Sequence, residues 1–97
     1  MTNEEIWNIG LEERTDELSK LQSEYDRLDV ECRKAEFEKD MYARLREVNN
    51  AMLYKQKFSE KYEKCARESE KLTKQKNALE NEISVLKKEI YYINSLM

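Results

Sequence analysis

Histidine and proline are absent from this 97-residue chain, glycine occurs once, at Gly10, and cysteine twice, at Cys32 and Cys65. Without histidine there is no Ser-His or Cys-His nucleophile pair and no histidine-bearing zinc site, and two well-separated cysteines cannot supply one alone. A single glycine leaves no phosphate-cradling loop. Carboxylate pairs such as Glu12 and Glu13 have no apolar pocket to raise a pKa. The chain therefore reads as a non-enzyme, with no catalytic, cofactor-binding or metal-ligating residues and no small-molecule substrate. Long apolar runs are also missing. The longest span four residues, at 51–54 and 90–93, far short of a membrane span or signal peptide. Two thiols are too few to staple a secreted fold, so reduced cysteines in an intracellular setting, cytoplasmic or nuclear, are expected.

What remains is charge laid over regular apolar spacing. Charged residues make up 40% of the chain and apolar ones 39%, which is better spent on a narrow seam between helices than on a compact core. The net charge of −3 conceals an asymmetry. Residues 1–48 hold 14 acidic and 8 basic side chains, and residues 49–97 hold 7 and 10, so the two halves are electrostatically complementary.

Thr2 stands three residues ahead of Glu5, the arrangement that caps a helix N-terminus, and predicts a helix from about residue 3. Gly10 weakens that helix by about 1 kcal/mol relative to Ala, so residues 1–10 read as an apolar segment prone to fray. From Leu11 onward good helix formers dominate. An acidic coiled-coil segment is expected over 11–36, a break in heptad phase or a turn within 37–58, and a regular coiled coil over 59–97.

The C-terminal seam places Tyr62, Ser69, Lys76, Ile83, Ile90 and Met97 at heptad position a, with Cys65, Leu72, Leu79, Leu86 and Ile93 at d. This is the 3,4 spacing of a left-handed coiled coil. The N-terminal seam puts Leu11, Leu18, Tyr25 and Cys32 at a, with Trp7, Leu21, Leu28 and Ala35 at d and Arg14 as its one poor member. Between Phe37 and Phe58 the two frames do not connect, and Met41, Tyr42, Leu45, Val48, Met52 and Leu53 form one broad apolar face.

The fold class is all-α, and the architecture ranked first is one amphipathic helix of about 90 residues, roughly 135 Å long, paired in parallel with a copy of itself. Glu82 and Lys87 would attract across such an interface, whereas Glu24 would face Asp29 and Glu31 would face Glu36. The alternative is an antiparallel dimer or an antiparallel hairpin turning at Asn49 and Asn50, with facing residues whose numbers add to 97, Cys32 against Cys65 among them. The seam residues are the same in each case: Leu11, Leu18, Leu21, Tyr25 and Leu28 with Leu72, Leu79, Ile83, Leu86, Ile90 and Ile93. The cysteines on the seam read as small hydrophobes.

Partner contacts are expected outside the seam. Val85 and Tyr92 share position c with Tyr91 beside them, and Trp7 clusters with Ile6 and Ile9. The basic stretch over 55–76 invites comparison with a basic-region zipper, but Glu60, Glu63, Glu68 and Glu70 interrupt it and arginine occurs there once. Nucleic acid is accordingly the least favoured partner. The function expected is a structural one: a coiled coil that dimerises and scaffolds a larger assembly of cytoskeletal, centrosomal, kinetochore or tethering type. The competing class is a helical adaptor subunit that pairs with other helical proteins in a hetero-oligomeric complex. The stripe reaches Met97 without a capping signal, the pattern of a coil that continues in a longer protein.

Overall fold

The computed structural model describes residues 1–48 and 51–97 and is all-helical, with α1 spanning Asn3–Val48 and α2 spanning Met52–Leu96. α1 begins where its cap predicts. The Thr2 hydroxyl accepts a hydrogen bond from the Glu5 amide at 3.2 Å, and the Thr2 carbonyl accepts one from Ile6. Gly10 is helical and half-buried within α1.

The single helix of about 90 residues is not formed. The chain instead has the two long helices of a helical hairpin. The proposed turn residues Asn49 and Asn50 lie outside the described residues. Each helix nevertheless keeps one unbroken frame. Buried or half-buried positions recur at alternating intervals of three and four residues from Trp7 to Arg46 in α1, and from Lys55 to Ile93 in α2. The phase change therefore falls between the helices and not inside either of them.

The chain divides into two units, Met1–Arg27 with Asn77–Met97, and Leu28–Lys76. In the first, the two helical segments run antiparallel, with Arg14 Nε donating to Glu89 at 3.1 Å across the pair. Leu86 is its most buried apolar side chain. In the second, also antiparallel, Leu28, Cys32 and Ala35 pack with Ser69 and Leu72, all nearly inaccessible to solvent. Three of these five are small.

Facing residues fix the register. Arg14 with Glu89 and Glu38 with Cys65 have numbers adding to 103; Asp29 with Lys76 and Cys32 with Thr73 have numbers adding to 105. The expected value of 97 is thus displaced by one heptad, and Cys32 does not face Cys65. A shift of seven residues leaves the apolar frames matched, so polar groups at the seam decide between the two registers. In the observed one, Lys76 meets the Asp29 carboxylate at 2.6 Å, where a total of 97 would lay it against Leu21.

Candidate functional site

All eleven expected seam residues are buried or half-buried, and α1 packs its stripe against that of α2 inside each unit. Burying a Leu or Ile side chain is worth roughly 1.5–3 kcal/mol. The polar members of the seam are each accommodated differently. The bond from Lys76 holds the Asp29 carboxyl below the usual carboxylate range, against the partial burial that works to raise it, and the neighbouring Arg33 guanidinium adds to the lowering. Cys65 lies 3.9 Å from the Glu38 carboxylate, and burial, followed by that negative charge, pushes its thiol up. Cys32 Sγ rests 3.4 Å from Thr73 Oγ1, whose hydroxyl donates to the Ser69 carbonyl at 2.8 Å. Both thiols are free.

Towards the ends of the helices in the second unit the seam becomes aromatic and cationic. Tyr42 stacks near Phe58 with ring centroids 6.3 Å apart, Arg46 lies 4.9 Å above the Tyr62 ring, and Lys61 lies 5.4 Å above that of Tyr42. Lys55 and Lys76 also turn inward and are half-buried. The basic stretch over 55–76 is therefore divided. Lys57, Lys64, Arg67, Lys71 and Lys74 stay exposed on the outer face of α2, while Lys55, Lys61 and Lys76 belong to the seam or its edge.

The expected partner-contact residues are exposed, except Trp7, which is half-buried at a seam position. Tyr91 and Tyr92 are 78% and 63% accessible, and Ile6, Ile9 and Val85 are also on the surface. Val85 lines a shallow recess with Leu21 and Glu17, and Tyr92 lines another with Arg14 and Ile93. Tyr91 lies in a third, beside Ile83 and Lys87. The tyrosines thus open onto different recesses despite being adjacent in sequence.

One apolar surface was not anticipated. On the outer side of α1, Val30, Phe37, Met41 and Val48 are 60%, 67%, 36% and 75% accessible. Their intervals of 7, 4 and 7 residues place them on a second 3,4 stripe, occupying positions f and c of the frame whose a and d positions form the seam. Lys34 and Arg44 fill the two gaps. The signal was present in the sequence but hidden. Met41 and Val48 group by proximity with Tyr42 and Leu45, which the helix turns to half-buried positions, and Val30 stands alone among charged residues. Phe37, Asp40, Met41 and Arg44, at i, i+3, i+4 and i+7, surround a recess closed on one side by Leu45. Four residues so spaced form the hole that receives a side-chain knob from a facing helix.

Among the described residues no cluster of three or more His, Cys, Asp or Glu side chains could hold a metal ion, and no helix is long and apolar enough to cross a membrane. No protein-family model, curated protein or solved structure matches the chain.

Proposed function

We propose that the chain is a structural coiled-coil module, a hairpin that closes one seam within itself and offers a second to other helices, so that it scaffolds a larger helical assembly. The observation that carries this reading is the exposed stripe of Val30, Phe37, Met41 and Val48, which has coiled-coil spacing and, among the described residues of its unit, no helix covering it. A surface built only for solvation would have polar residues at these positions. The free thiols suit an intracellular assembly. The adaptor and scaffold classes converge here, because each needs a helix face left open by the fold.

The nucleic-acid reading has less support, since the outer cations of α2 alternate with Glu60, Glu63 and Glu70, and Lys74 is paired with Glu70 at 3.4 Å. The test of the scaffold reading is the chain's size in native cell extract. Wild-type chain is expected to migrate in an assembly several times its own mass. The double variant Phe37→Glu, Met41→Glu is expected to migrate as the free chain, with the helical circular dichroism of the purified protein unchanged. Unaltered migration of the variant would refute the reading.

A further inference from the structure

We infer that the outer stripe of α1 is an isologous interface, occupied by the same stripe of a second copy running antiparallel. This rests on the scaffold reading above and names its partner. In an antiparallel pair of helices, each layer joins residues whose numbers have a constant sum. The stripe is a palindrome under that rule. Val30 would meet Val48 of the copy, Lys34 would meet Arg44, and Phe37 would meet Met41, and each pair of numbers adds to 78. A two-fold axis through residue 39 thus sets apolar against apolar in four layers out of six, with the aromatic and thioether side chains at the centre. The recess between Phe37, Asp40, Met41 and Arg44 lies at that centre, where a knob from the copy would enter.

The charges agree with the same axis. Asp40 is exposed beside the Met41 layer and would meet its own copy there, setting two carboxylates near the axis, whereas Glu38 turns to the inner seam against Cys65. Such a cluster would be repulsive alone. The two cationic layers, each Lys34 with Arg44 of the copy, lie on either side of it, because Arg44 follows Asp40 by four residues. The cationic layers therefore bracket the two Asp40 carboxylates, each within about 6 Å along the axis of the acidic group it offsets.

The experiment combines sedimentation equilibrium with directed cross-linking. In a background of Cys32→Ala and Cys65→Ala, Val30→Cys and Val48→Cys are introduced into separate chains, which are mixed and oxidised. The expected result is a disulfide between the two kinds of chain and little within either kind, together with a dimer in sedimentation that the variant Phe37→Glu, Met41→Glu loses. Self-cross-linking of the Val30→Cys chain, or a dimer that survives the double variant, would overturn the proposed interface. A monomer at every concentration would overturn the second copy as partner. If the double variant nonetheless leaves the assembly in native extract, the scaffold reading stands and the stripe belongs to a different protein.

Discussion

Asp29 receives two cations, Lys76 Nζ at 2.6 Å from across the helix pair and Arg33 Nη2 at 2.9 Å from one turn along its own helix. A lysine at an a position costs stability unless its charge reaches water or a carboxylate, so Lys76 marks the register in which Asp29 is within reach. The sequence makes Lys76 legible as an irregular seam member, but it does not name its partner, because Asp29 stands at an edge position and only the chosen register brings the two together. The depressed Asp29 pKa gives a pH signature. The unfolded carboxyl titrates near 3.8 and the folded one lower, so the unfolded chain binds more protons as the pH falls. The stabilisation is complete above 3.8 and is lost as the pH drops through the folded value. Thermal melts of the parent and Asp29→Asn should therefore differ at neutral pH and converge in strong acid. A gap that persists unchanged to the lowest pH would assign the effect to packing and not to charge.

At the scale of the element, most of α1 and α2 follows from local rules. The absence of proline lets both helices run, the Thr2 cap sets the start of α1, and the 3,4 spacing selects the buried faces. What was not legible was which of two meanings the phase break carries, since a break inside a helix and a change of helix give the same spacing in sequence. Gly10 shows the same limit. Its helical cost is real, yet the packing of its segment against α2, with Ile93 close by, keeps it helical. A methyl group added there would meet Arg14 Nη1 at 3.4 Å and Ile93 Cδ1 at 3.9 Å, both ordinary contacts. Gly10→Ala is thus expected to stabilise the protein by about 1 kcal/mol, the difference in helix propensity. Urea denaturation checks it. A neutral or destabilising result would mean that the Arg14 side chain, which donates to the Gly10 carbonyl at 3.2 Å, cannot yield to the methyl group.

For the molecule as a whole, the decisive distinction is between a seam closed within a chain and a seam shared between chains. Both use the same Leu and Ile positions, which is why the sequence identifies the inner seam residues but ranks the straight rod above the hairpin. The outer stripe escaped because Lys34 and Arg44 interrupt it and because its apolar members are few. The two seams nevertheless make opposite demands on concentration. An interaction within one chain is indifferent to how much protein is present, whereas one between chains strengthens by mass action. In the variant Phe37→Glu, Met41→Glu the outer stripe is disabled and the inner seam is untouched, so its melting temperature should stay constant across about a hundredfold range of protein concentration. The parent, with its outer stripe available to a copy, should melt higher as concentration rises. Were the variant also to melt higher with concentration, the inner seam would have to be formed between chains, and the two helices would belong to an antiparallel dimer of separate molecules in place of a hairpin.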